Sequence, residues 1–175
     1  MTLTQQKRKI LYWLANAGIL ILSLFLQTTP GLFTFWGCKP VWVFSCCFVL
    51  ACFETIVPAA VFGVVGGLLC DYSAGRLSGY FSLFTMLLCV GLVFLFLYFV
   101  RRNWYTVTLF AGIAVLCIEW IDYLFMYLLP DYSHVGQIFV FRTIPIVGLT
   151  VCTLPLYYFI MKKLKQFVLG KEDEE

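Results

Sequence analysis

The sequence predicts an all-α protein, a polytopic membrane helix bundle of about six transmembrane helices, on three observations. Of 175 residues, 62% are hydrophobic and 12% charged, with a mean hydropathy of +0.94. Soluble domains run nearer half apolar and a quarter charged, and one soluble core of this length could not hide so much apolar surface. The apolar residues also gather in long runs, and a helix needs roughly 20 such residues to cross the hydrocarbon core. Finally, basic residues bunch where those runs end: Lys7, Arg8 and Lys9; Arg101 and Arg102; and Lys162, Lys163, Lys165 and Lys171. Such clusters read as membrane anchors rather than as a nucleic-acid surface.

The first run, Ile10 to Leu26, follows a basic cluster and so imitates a secretory signal. No small-x-small cleavage site follows it, only Gln27-Thr28-Thr29-Pro30, so it reads as a retained first span. Between Pro40 and Asp71 the apolar stretch is too long for one helix and is interrupted by Glu54 and Pro58. It divides into Val41 to Phe53 and Ala59 to Cys70, with Glu54 and Pro58 in the turn between them. Phe81 to Val100, Val107 to Leu129 and Ile138 to Met161 complete the set. With no repeated halves, linker or low-complexity tract, residues 1–175 read as a single integral-membrane domain.

Six spans with the N-terminus inside put all three basic clusters on the inner side. Only Lys39, Arg76 and Arg142 of the twelve basic residues then lie outside. Five spans would force one cluster outward, so the positive-inside rule selects six, with both termini cytoplasmic. Trp13, Trp36, Trp42 and Trp104 lie near span ends as interfacial anchors should; Trp120 does not.

The eight cysteines include no C-x-x-C pair, and His134, the single histidine, has no ligand-like neighbour. They read as small apolar fillers, with a disulfide at Cys38 the alternative. No catalytic nucleophile–base pair, cofactor motif or metal cluster emerges, and no phosphate-binding G-x-x-x-x-G-K-[ST] is present.

Two constellations stand out. Gly63, Gly67, Asp71, Gly75 and Gly79 recur every four residues. On a helix they form one small-residue stripe that admits a neighbouring helix or partner. If the helix ends near Asp71, the later glycines instead make a tight external turn. Asp71 itself, at a span end, needs water or a donor. Glu119 and Asp122, three residues apart in the fifth span, share a face. An ionisable group at the depth of Glu119 costs about 2.5–3.5 kcal/mol on insertion scales. Arg142 lies near the depth of Asp122, so the two can pair. These three read as a structural polar clamp, a transport or proton relay, or a partner-binding group.

Taken in order, these residues resemble the bacterial rod shape-determining protein MreD family. Lys39-Pro40-x-Trp42 is similar to its proline-led entry to span two. Gly63-x-x-x-Gly67-Leu-Leu-x-Asp71-x-x-x-Gly75-x-x-x-Gly79 resembles its span-three motif, although Ser73-Ala74-Gly75 separates the family's Ser-Gly pair. Glu119 resembles an acidic residue that some members carry in span five. Leu154-Pro155, the apolar run after it and Lys162-Lys163-Leu164-Lys165 resemble the closing segment. Arg142 is not part of the pattern. The resemblance covers essentially the whole chain and implies a non-enzymatic subunit of the cell-elongation machinery, supporting peptidoglycan synthesis from the plasma membrane of a rod-forming bacterium. It implies the scaffold MreC as partner and, indirectly, MreB and RodA with its penicillin-binding partner. The family's bundle is also likened to the substrate-binding subunits of energy-coupling-factor vitamin transporters, which supplies an alternative function. A vitamin binder should show a closed polar pocket; a partner-binding subunit should show an apolar groove on its lipid face.

Overall fold

The computed structural model describes residues 3–29, 31, 38–75, 79–125, 136 and 139–169. Arg76, Trp36, His134, the end of the fifth predicted span at 126–129 and the tail from 170 lie outside them. Among the described residues there are six helices and no strand. They are α1 (Leu3–Thr28), α2 (Trp42–Phe53), α3 (Ile56–Ala74), α4 (Tyr80–Tyr98), α5 (Trp104–Tyr123) and α6 (Ile144–Leu169). A π-helical turn, Phe139–Thr143, leads into α6. All but α2 are long and apolar enough to cross a membrane. The chain is thus an all-α polytopic bundle.

The short helix is the centre of it. Every residue from Trp42 to Cys52 is buried, and α2 touches each of the other five helices. A helix surrounded on all sides is apolar all round, which is why this segment carries no polar face. Twelve residues at 1.5 Å each span only about 18 Å. The non-helical segment 38–41 adds up to about 13 Å if extended. Together they match a core of about 30 Å. Non-helical backbone is tolerated at membrane depth only where protein covers it, and here Cys38 and Pro40 are buried.

Both ends of α2 are satisfied by its neighbours. At one end, Val41 N–H donates to Thr150 Oγ1 of α6 at 3.0 Å, and Val43 N–H to Gln27 Oε1 of α1 at 3.4 Å. Ser45 donates to the Thr150 carbonyl at 3.3 Å and shares a 2.7 Å hydrogen bond with Thr153. These contacts sit one turn before Pro155, which interrupts the α6 ladder. At the other end, Arg102 Nη1 and Lys165 Nζ donate to the Phe53 carbonyl at 3.5 and 3.4 Å, cations where a helix C-terminus attracts them. We call this the basic end of the bundle.

Two departures from the sequence reading, in α3 and at Trp42, have local causes, whereas the cysteines are the small apolar fillers expected. Helix α3 runs from Ile56 rather than Ala59, because Pro58 occupies its first turn, where a missing N–H costs nothing. Only Glu54 and Thr55 separate α2 from α3. Trp42, expected at an interface, is buried with its ring edge-on to Tyr157. All eight cysteines are free thiols, six of them buried, and Cys38 faces the Phe141 carbonyl instead of a disulfide partner.

The glycine stripe divides. A methyl group at Gly67 would lie under 3.0 Å from the backbone of Phe81 and Ser82, and one at Gly63 would crowd Met86. These two residues let α3 and α4 pack backbone to backbone, with Ser82 Oγ donating to the Val64 carbonyl at 3.1 Å. Gly75 and Gly79 instead have φ of 62° and 103°, left-handed values that suit glycine at the ends of the α3–α4 connection. Overpacking of this kind costs about 1–3 kcal/mol. Gly67→Ala should therefore lower the melting temperature in detergent, while Gly91→Ala, with open space around it, should not. Equal melting temperatures would show that α3 and α4 do not meet at Gly67.

Candidate functional site

Helix α1 carries polar residues on its buried side at helical spacing: Tyr12, Asn16, Ser23 and Gln27. Tyr12 donates to Glu54 Oε1 at 2.5 Å, and Ser23 shares a 2.6 Å hydrogen bond with Tyr157 of α6. At the basic end, burial raises the Glu54 carboxyl above the usual carboxylate range, opposed by the Tyr12 hydroxyl and by Lys165 and Arg102. Gln27, at the far end of the stripe, reaches α2 through Val43.

Asp71 lies at that far end and is buried, not water-accessible as its position suggested. Its carboxylate accepts the backbone N–H groups of Gly79 at 2.8 Å, Phe81 at 3.1 Å and Ser82 at 3.5 Å. Helix α4 begins after Gly79, which has no side chain with which to cap it. Asp71 of α3 supplies that cap from outside, and its charge complements the positive end of the helix dipole. The residue fastens a hairpin and presents little surface to a partner.

Glu119, Asp122 and Arg142 do converge. They line one cavity of about 150 Å³ together with Gln27, Cys70 and Thr143. The reason is geometric: α2 starts at Trp42, and the space beyond its first turn is bounded by α1, α3, α5 and the π turn. Glu119 and Asp122 face it from one side of α5, and the wide π turn brings Arg142 and Thr143 to the other. Thr143 also lines a crevice of about 90 Å³ whose remaining walls are Leu116, Trp120, Phe139, Ile144 and Val147. Phe139 stands edge-on to Trp120 at 5.6 Å.

Beyond the crevice, Leu116, Cys117, Trp120 and Ile121, all of α5, form a shallow, open apolar groove on the outward side of that helix. Trp120, the exception among the predicted anchors, is 55% exposed there. Among the described residues no group of His, Cys, Asp and Glu is placed to hold a metal ion. Chemically the cavity offers two carboxylates, a guanidinium and an amide, suited to ionic recognition, and the groove offers apolar and aromatic surface.

Gln27 and Cys70 escaped the sequence reading, as did Gly66, where a methyl group would strike Cys47 of α2. Gln27 was detectable as the last member of the polar stripe on α1. Gly66 lies outside the four-residue register that singled out its neighbours.

Asp71→Ala should leave three N–H groups without their acceptor and cost about 1–3 kcal/mol or more. Asp71→Asn, which keeps one carbonyl oxygen, should fall between it and the wild type in thermal melting. Wild-type stability of Asp71→Ala would remove the capping role. Comparison with family models, curated proteins and solved structures returned no match, so the function is read from the chain's own residues.

Proposed function

We propose that this chain is a non-enzymatic integral-membrane subunit of a bacterial cell-elongation complex, of the MreD kind, that works by binding partner proteins within the bilayer. The observation that carries the reading is the apolar groove around Trp120 on the lipid-facing side of α5. A transmembrane helix laid in that groove would gain van der Waals contact, the main source of helix association in lipid. Tryptophan is among the residue types enriched at interface hot spots. In this reading the first partner is the scaffold MreC, and MreB and RodA with its penicillin-binding partner are reached through it. The basic end faces the cytoplasm, as the positive-inside rule requires.

The polar cavity favours the second reading, a small-molecule-binding transporter subunit. Its size weighs against that reading: small-molecule pockets run about 300–1,000 Å³, and this one holds about 150 Å³.

The two readings separate in cells and on purification. A photo-crosslinker at position 120 should capture the single-span scaffold, and one at Leu87, on the lipid-facing side of α4, should not. Trp120→Ala should weaken scaffold recovery by about 2 kcal/mol, roughly thirtyfold, and round the cells at wild-type abundance of the protein. Normal recovery and normal rods would dismiss the groove as the interface. Rods that persist without the protein, with a vitamin-like ligand retained by the purified chain, would favour the transporter reading instead.

A further inference from the structure

We infer that Arg102 and Lys165, brought together at the basic end of the bundle, form a binding site for the phosphate of an anionic phospholipid. The inference depends neither on the partner reading nor on which side of the membrane the basic end occupies. It rests on two cations from distant parts of the chain that converge on one oxygen atom.

Arg102 lies in the loop between α4 and α5, and Lys165 in the last turns of α6. Arg102 Nη1 stands 3.5 Å and Lys165 Nζ 3.4 Å from the Phe53 carbonyl oxygen. Like charges held this close repel, and a carbonyl dipole offsets only part of that repulsion. Glu54, the one carboxylate of the described residues within electrostatic reach of both, already accepts from Tyr12. Arg101, Lys162 and Lys163 add positive charge to the same end. An anion answers the excess.

The donors match a phosphate. A guanidinium carries five N–H groups and an ammonium three. Among the described residues the Phe53 carbonyl is the single hydrogen-bond acceptor that either head reaches. The two heads are close enough for one phosphate to bridge them, the guanidinium through its planar fork and the ammonium as a point charge. The loop beneath Arg102 is tied down, because Asn103 N–H and the Thr106 hydroxyl donate to the Arg101 carbonyl at 2.9 and 2.8 Å. A preorganised site loses less entropy on binding.

Depth assigns that phosphate to a lipid. Phe99, Trp104 and Tyr105 flank the loop and are exposed. Aromatic side chains so placed mark the headgroup level of a bilayer, which is where lipid phosphates lie. A zwitterionic head would carry its own ammonium into the positive field of the site, so an anionic head is preferred.

The test uses the full chain, purified in detergent and exposed to dioleoyl phosphatidylglycerol or dioleoyl phosphatidylethanolamine. The medium is ammonium acetate at about 0.15 M, where attraction between exposed charges is largely screened beyond about 8 Å. Retained lipid is counted by native mass spectrometry, and its effect is read as the rise in melting temperature. Phosphatidylglycerol should be retained about tenfold over phosphatidylethanolamine, as one charge attracted instead of repelled would give. Arg102→Gln and Lys165→Gln should each remove most of that preference. Lys163→Gln, which loses the same charge from an exposed position on α6, should keep it. Because the first two variants also lose a contact to α2, each is scored by the rise that phosphatidylglycerol adds to its own melting temperature. Equal retention of the two lipids by the wild type, or a loss in Lys163→Gln as large as in Lys165→Gln, would overturn the proposal. Millimolar inorganic phosphate that stabilises the chain as well as phosphatidylglycerol does would overturn the lipid assignment. A preference that emerges only once residues 172–175 are deleted would give the site to the chain's own acidic end and overturn it as well.

Discussion

A twelve-residue helix at the centre of a membrane bundle has end groups that its own turns cannot satisfy, and its first turn is buried among the other helices. The rest of the structure is arranged around that constraint. Thr150 and Gln27 accept from the start of α2, and Arg102 and Lys165 donate to its last carbonyl. Each unsatisfied group would cost several kcal/mol in lipid, so these contacts hold α1 and α6 at defined depths beside α2. Gly66 then lets α3 approach Cys47 closely, and α4 and α5 close the ring.

The same shortness creates the cavity. A helix of full span in place of segment 38–41 would fill the space that Glu119, Asp122 and Arg142 now border. Asp71 and Gln27 show how the polar groups at this end are divided between structure and site. Asp71 is consumed in capping α4, whereas Gln27 both reaches α2 and lines the cavity. In the proposed reading, recognition falls to apolar contact in the groove.

Hydropathy is one-dimensional, and what it measures was legible in the sequence. The long apolar runs became helices, and the convergence of Glu119, Asp122 and Arg142 followed from spacing and depth alone. What depends on a neighbouring helix was not legible. Asp71 reads as a water-accessible carboxylate until α4 is seen to start beside it. Pro58 reads as a breaker because a first helical turn and a loop look alike in sequence. Trp42 reads as an interfacial anchor, since nothing in its own segment reveals that α6 covers it. The apolar composition of α2 announces a span, but not one that five other helices surround.

Groove and crevice share Leu116 and Trp120, on the same helix that carries the two carboxylates of the cavity. That arrangement depends on α2 remaining short, central and satisfied at both ends. Hydrogen–deuterium exchange of the purified chain in lipid nanodiscs reads this directly, amide by amide. The account predicts that residues 41–53 exchange most slowly of all, including the first-turn amides bonded to Thr150 and Gln27. Exchange of residues 41–45 as fast as the segment at 101–103 would contradict it, placing the start of α2 in contact with water.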